Sequence, residues 1–389
     1  MKLRKCARLL LALAPLLAGC GDFWQAPSGS SGSGTTSTTL SSGYFYVINQ
    51  KTSQIVAYNI NSGTLNQIGA YTLAAAPTAV AIAPGGSFLY VSSIAGIYLY
   101  NIGSGGALTV GNSGGVVSSD PASAIRVDTS GSWLVDAVQG TSGVQLDAIP
   151  ITSTGTYTGG TVAIEQYSVS NATVHQLAIS SDDDNVFVAA GEGGTLVVPF
   201  TSGNTNPLAS TATVIGTANT GGSALSVAVD PSLRLFYVGE TLASSGTTGG
   251  LRVFNYSSLG GTLTQATGSP IASGGLSPNA LLPVTSGDYV YVANGTGPSS
   301  AGNISGFSIT SSGSTYTIAT SGTVSAGILP YGLAEDSDAN FVLAVSEGGS
   351  PDLEAYIFDT TTAGQLDSSL TSTTGTDPTQ AIAVAAVAP

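Results

Sequence analysis

One phrase, two short apolar strands around a polar turn, recurs along this chain and limits its fold more than any other feature. "PTAVAIAPGGSFLYVSS" begins at Pro77, "ASAIRVDTSGSWLVDA" at Ala122 and "VHQLAISSDDDNVFVAA" at Val174. "ALSVAVDPSLRLFYVGE" follows at Ala224, "PNALLPVTSGDYVYVAN" at Pro278 and "PYGLAEDSDANFVLAVSE" at Pro330. After each copy comes a Gly/Ser-rich loop, usually a third strand such as "GIYLYNI", "LRVFNY", "ISGFSI" or "LEAYIFD", and a more variable fourth. Aligning the turns yields one equivalent position per copy: Thr78, Ser123, His175, Leu225, Asn279, Tyr331 and Thr379, spaced by 45, 52, 50, 54, 52 and 48 residues. That period suits a four-stranded propeller blade.

The ends of the array decide the blade count. The chain enters with "YFYVIN", "QIVAYNI" and "TLNQIGAYTL", a blade lacking its first strand, and it closes with "PTQAIAVAAV" from Pro378, a first strand lacking its blade. Pairing the last strand with "YFYVIN" completes a seventh blade and leaves no open sheet edge. No helical periodicity lasts three turns in this region, so the expectation is an all-β, seven-bladed propeller over residues 44–389.

The residues before it have other work. Lys2, Arg4, Lys5 and Arg8 precede an apolar run from Leu9 to Ala18, the layout of an export signal and too short to span a bilayer. "LLAGC" resembles a bacterial lipobox, which implies processing after Gly19 and a lipid on Cys20. Residues 20–43 are then a Gly/Ser/Thr spacer between the anchor and the propeller. This organisation places the protein in the bacterial cell envelope, tethered to a membrane.

Removal of residues 1–19 takes away four of the eight basic residues, leaving Lys51, Arg126, Arg234 and Arg252 against 22 acidic ones, a net of −18. Such a field repels nucleic acid and anionic surfaces. With one histidine and one cysteine left, the chain has too few ligands for a zinc or haem site, and no metal or cofactor is expected. Asp336, Asp338, Asn340 and Glu347 mimic a calcium-loop spacing, but Phe341 stands where that loop needs glycine. "SDDDN" at Ser181 reads as a solvated turn between strands.

The phrases "SFLYVSS", "LFYVGE", "YVYVAN" and "VHQLAIS" resemble the seven-bladed propeller lactonases, relatives of 6-phosphogluconolactonase and of the muconate-lactonising propellers. The resemblance covers roughly residues 44–389. It implies that His175 and Glu240 lie at one mouth of the central channel, where a base could activate water against a cyclic ester. It also marks departures. Leu225 and Tyr331 stand where the family tends to carry arginine, and Asn294 is followed by Gly295 instead of arginine. Without those guanidinium groups a phosphorylated or acidic lactone loses its grip, so 6-phosphogluconolactonase activity itself is not expected.

His175 and Glu240 are therefore the catalytic candidates, and Asn279, Asn294, Tyr331 and Arg126 the ligand-binding ones. Arg126 occupies an innermost-strand slot that is Ala81, Ala178, Ala228 and Ala334 in other blades. It either pairs with Asp128 or Asp136 or anchors a ligand. Two functions remain: a surface binding or scaffold module for a glycan, peptide or protein, and a hydrolase of a neutral lactone or ester. The missing arginines favour the first.

Overall fold

A computed structural model describes residues 42–387, except 233, 258–260, 313–314, 373 and 375–379. The signal segment, Cys20, nearly all of the spacer, and Thr379 lie outside the described residues. Within them the chain is built from antiparallel strands, with one three-residue 3₁₀ turn at Asn112–Gly114.

Seven blades follow one another. Blade 1 contains Tyr44–Asn49, Gln54–Asn61 and Thr64–Thr72, and its innermost strand is the C-terminal Ala381–Ala386. Blade 2 runs through Pro77–Ile82, Phe88–Ser93 and Gly96–Ile102, with Leu108–Val110 and Val116–Ser118 at its outer edge. Blade 3 is Ala124–Val127, Trp133–Gln139, Gly143–Pro150 and Ala163–Ser168. Blade 4 is Ala172–Ile179, Asn185–Gly191, Thr195–Pro199 and Thr213–Ile215. Blade 5 is Ala224–Val229, Leu235–Ser244 and Thr248–Tyr256, edged by Leu263–Gln265 and Ile271–Ala272.

Blades 6 and 7 share one long strand, Thr315–Glu335. Its first part pairs with Ala301–Ser312 as the outer edge of blade 6, which begins with Ser277–Pro283 and Tyr289–Gly295. Its last part, from Ile328, pairs with Phe341–Gly348 as the innermost strand of blade 7. Leu329, at φ 51°, marks the handover. Leu353–Phe358 and Leu366–Ser372 finish blade 7.

The core is not central. Seven separate clusters of buried residues each fill the space between one blade and the next. Phe187 of blade 4 stacks on Phe236 of blade 5 with ring centroids 4.4 Å apart, and Phe236 stacks on Phe254 at 4.9 Å. A tyrosine in the middle of a blade's second strand also reaches the next blade. Tyr46, Tyr90 and Tyr291 donate to the carbonyls of Gly106, Gly155 and Gly364. Each acceptor is a hairpin glycine with φ of 76–78°, a conformation open to glycine at no steric cost. The phrase "LYV" or "YVYV" thus encodes a strand and an inter-blade tie together.

Ala381–Ala386 closes the ring. It pairs with Tyr44–Asn49, and its Ala381 and Val384 join Phe45, Val47, Phe341 and Leu343 in the cluster between blades 7 and 1. Val384→Asp puts an unpaired charge into this seam. It is expected to lower the unfolding free energy by about 3 kcal/mol or more, read as a lower urea midpoint, while Val384→Ile leaves the midpoint within about 1 kcal/mol of wild type.

Candidate functional site

The site begins with a break in strand pairing. In blade 2, Pro77 faces Ser93 and Ala79 faces Ser92, so Thr78 has no partner across the ladder. The same one-residue bulge leaves out Leu225 in blade 5, Asn279 in blade 6 and Tyr331 in blade 7. In blade 4 the register slips across residues 173–175, between Ala172 and Gln176. A bulge re-aims its side chain and bends the strand. Five of the positions found by aligning the repeats therefore fall at bulges at one end of the central channel, whereas Ser123 of blade 3 lies just before the regularly paired strand Ala124–Val127. In the closing strand, however, Ala381 faces Asn49 and Ala383 faces Ile48, which makes Ile382 the bulged residue. The sequence alignment placed this position three residues early, at Thr379, because "PTQA" imitates "PTAV" without continuing its register.

Side chains at these bulges fasten neighbouring blades. Thr78 Oγ1 donates to the Ala122 carbonyl at 2.7 Å, and Asn279 Nδ2 to the Pro330 carbonyl at 3.1 Å. Gln176, next to His175, reaches across blade 5 to the Asn279 carbonyl at 3.0 Å. Asn279 is accordingly buried and structurally engaged. Asn294 is fully buried too. Its amide donates to the Ser273 carbonyl, in the connection from blade 5, at 2.7 Å and to Asn303 Oδ1 of blade 6 at 3.0 Å. Neither asparagine offers its amide nitrogen to a ligand in the channel.

His175 differs. Its side chain is exposed and makes no hydrogen bond among the described residues. Protein walls the ring on its other sides, and the resulting loss of hydration lowers its pKa below the ordinary histidine value. The imidazole is therefore neutral at pH 7, free to accept or donate one hydrogen bond. Tyr331, across the ring in blade 7, is 36% exposed, and its phenol is raised by desolvation and then by Glu347. Beside it opens a cleft of about 330 Å³ lined by Pro298, Ile328, Leu329, Glu347 and Gln380.

Glu240 does not stand beside His175 as a free base. It is fully buried, and its carboxylate is held by the Arg252 guanidinium at 2.9 Å and by the Ala218 N–H. Arg252 also donates to the Gly216 carbonyl at 2.7 Å and lies 4.9 Å from the centre of the Phe254 ring. Position alone put Glu240 at the mouth. The hairpin register decides otherwise, since Glu240 faces Gly250 and Arg252 faces Val238, which puts the two charges diagonally adjacent on one face of the hairpin.

Arg126 also departs from expectation. It pairs with neither Asp128 nor Asp136, and its one hydrogen bond among the described residues goes to the Ile125 carbonyl. Asp128 instead caps its own turn, accepting from the Ser132 and Trp133 N–H groups at 2.8 Å. Asp136 lies opposite Ile125, one residue out of step with Arg126, so the pleat sends the two side chains to opposite faces. Arg126 is exposed by area, yet desolvation lowers its pKa. On the other face, Asp136 meets Asp120 and Asp147, with one carboxylate oxygen from each lying within 4.8 Å of the others. No spacing motif marks this trio, although an acid inside the apolar runs "WLVDAV" and "VQLDAI" was a visible signal.

The imitation calcium loop behaves as a turn. Asp336 accepts from the Asn340 and Phe341 N–H groups, and Glu347 lies at the far end of the strand Phe341–Gly348. "SDDDN" is more than a solvated turn: Asp182 pairs with Arg234 at 2.9 Å, and Asp183 accepts from Thr129 of blade 3.

Seven blades around a channel, closed by the C-terminal strand, define a β-propeller. The family described as "Lactonase, 7-bladed beta-propeller" matches residues 35–382, and the chain belongs to it. No curated protein matches the chain in sequence. Among solved structures, a candidate 6-phosphogluconolactonase from Bacteroides fragilis superposes with a TM-score of 0.68 at 14% identity, covering 90% of this chain and 99% of that one. One from Bacteroides uniformis gives 0.67 at 17% identity, covering 88% and 98%. The periplasmic gluconolactonase of Pseudomonas aeruginosa gives 0.65 at 16% identity, covering 86% and 97%. At these identities the likeness is one of fold.

Two outcomes follow from the site's geometry. Glu240→Gln weakens a buried ion pair and is expected to destabilise the fold by about 3 kcal/mol, seen as a lower urea midpoint at pH 7. Because His175 is the only histidine, its imidazole can be titrated by NMR without ambiguity. Its midpoint is expected below 6.5. The unfolded chain then binds the proton more readily than the folded one, so His175's contribution to stability falls as pH drops below 6.5. His175→Gln removes that slope.

Proposed function

We propose that this protein is an envelope-tethered lactonase-type propeller that binds a small, uncharged, oxygen-rich ring, a lactone or sugar, at the mouth of its channel. The tether is the lipid on Cys20, and the spacer of residues 20–43 holds the propeller clear of the membrane. The observation that carries the binding reading is the engagement of Glu240 by Arg252. It removes the carboxylate a water-activating pair would need and leaves His175, Tyr331 and Arg126 as the available polar groups. Neutral imidazole, phenol and guanidinium together supply several donors, with acceptors on the imidazole and the phenol, which suits hydroxyl and ester oxygens. Arg126, the arginine without an ion-pair partner among the described residues, is a weak lure for a phosphorylated ligand on a processed chain of net charge −18.

Hydrolysis of a neutral lactone is the second reading, supported by membership of the lactonase family and by a solvent-facing neutral imidazole. In it His175 takes a proton from water as the water oxygen bonds to the ester carbonyl carbon, and Arg126 or Tyr331 donates to the developing oxyanion. Collapse of that intermediate breaks the ring C–O bond, and the imidazolium returns the proton to the departing alkoxide.

Calorimetry with glucono-1,5-lactone and with gluconate, run beside pH-stat hydrolysis of the lactone, separates the two. Binding of the lactone without turnover above background, weakened about tenfold in both His175→Ala and Arg126→Ala, is the expected result. Turnover that drops about 100-fold in His175→Ala but survives in a folded Glu240→Gln variant establishes the hydrolase instead. Neither binding nor turnover of the lactone overturns both readings.

A further inference from the structure

Asp120, Asp136 and Asp147 are not part of the channel mouth. Asp120 lies in the connection from Val116–Ser118, the outer edge of blade 2, to the innermost strand of blade 3. Asp136 and Asp147 face each other directly across the second and third strands of blade 3. Like charges in that relation repel. They sit among Ile125, Leu134 and Ile149, which belong to the apolar cluster between blades 2 and 3.

Among the described residues no ion pair reaches these three carboxylates. Arg126 projects from the other face, Arg234 is committed to Asp182 and Arg252 to Glu240. Asp147 accepts from Gln145 Nε2 at 2.9 and 3.1 Å, and Asp120 accepts from Ser118 Oγ. Asp136 is fully buried, and neither of its oxygens has a hydrogen-bond partner. A buried carboxylate left so is among the costlier arrangements a fold can hold.

We propose that Asp120, Asp136 and Asp147 bind a calcium-sized divalent cation that ties the connection between blades 2 and 3 to the blade 3 sheet. An all-oxygen, all-carboxylate donor set selects a hard cation. One oxygen from each carboxylate lies within 4.8 Å of the other two, close enough for all three to reach one cation at calcium–oxygen distances of about 2.3–2.6 Å. Magnesium demands near-ideal octahedral geometry at about 2.0–2.1 Å and gives up its water reluctantly, so a buried carboxylate cluster favours the larger ion. Water completes the shell on the side of Asp120, the half-buried member. The site is structural, lying on the opposite face of the sheet from Arg126. The competing occupant is a proton, since burial and the neighbouring carboxylates push Asp136 well up and burial raises Asp147 to about 6.

The test uses the full chain stripped with chelator and dialysed, with calcium chloride and magnesium chloride as probes. Metal content, calorimetric binding and the thermal midpoint are measured for wild type, Asp136→Asn and the less buried Asp120→Asn. Wild type is expected to bind about one calcium per chain and to gain several degrees in midpoint. Both responses shrink at least tenfold in the variants, and magnesium gives the smaller shift. Absence of calcium binding, or a response unchanged in both variants, overturns the proposal. An equal response to magnesium overturns the assignment of ion size. If Asp136→Asn fails to fold, Asp120→Asn alone decides between these outcomes.

Discussion

Everything in this propeller depends on each blade having a neighbour on both sides. A single twisted sheet with two apolar faces is unstable in water. Here every blade buries one face against the blade before it and the other against the blade after it. The seven clusters between blades are that arrangement made visible. An open array would leave the outer faces of its first and last blades in water. The pairing of Ala381–Ala386 with Tyr44–Asn49 prevents this by building one blade from both ends of the propeller. The tyrosine-to-glycine ties repeat the theme with hydrogen bonds, which satisfy a buried hydroxyl while fixing the angle between blades.

Ring closure creates the channel, and the bulges determine what faces it. In a regular strand each side chain points into one inter-blade space or the other. An unpaired residue at the start of the innermost strand escapes that choice. Thr78 and Asn279 use this freedom to grip the next blade's backbone, whereas His175 and Tyr331 remain open to water. The same geometric device thus serves as fastening in some blades and as a candidate ligand contact in others. Which role a bulge takes follows from whether its side chain meets a free carbonyl within reach.

Buried charge is treated in two ways. Glu240 has a guanidinium and a backbone N–H, and Phe254 covers the guanidinium in turn, so the hairpin of blade 5 carries its ion pair as a closed unit. Asp136 has no such company: it faces another aspartate across the ladder, and its oxygens have no hydrogen-bond or ion-pair partner among the described residues. The contrast explains why the first site reads as structure and the second as a place for something the chain does not encode.

From the residues alone one can read the all-β class, the blade period, the seven-fold count and the borrowed closing strand, because strand periodicity and turn composition are local properties repeated many times. Five of the aligned turn positions also fall at the bulge that opens the innermost strand, and Ser123 just ahead of a strand without one. The seventh moves to Ile382 because the register of the closing strand is set by the blade it joins. Partnership is a different matter. Arg126 and Asp136 are ten residues apart in sequence yet point to opposite faces of one sheet. Glu240 and Arg252 lie on two strands and meet through a diagonal contact, and Asp120 reaches Asp147 only because a connection between blades folds back onto the sheet. Sequence determined which strands this chain makes and how many blades they fill. Tertiary structure alone decided which charges meet, since that depends on register and pleat, where a shift of one residue exchanges one face of a sheet for the other.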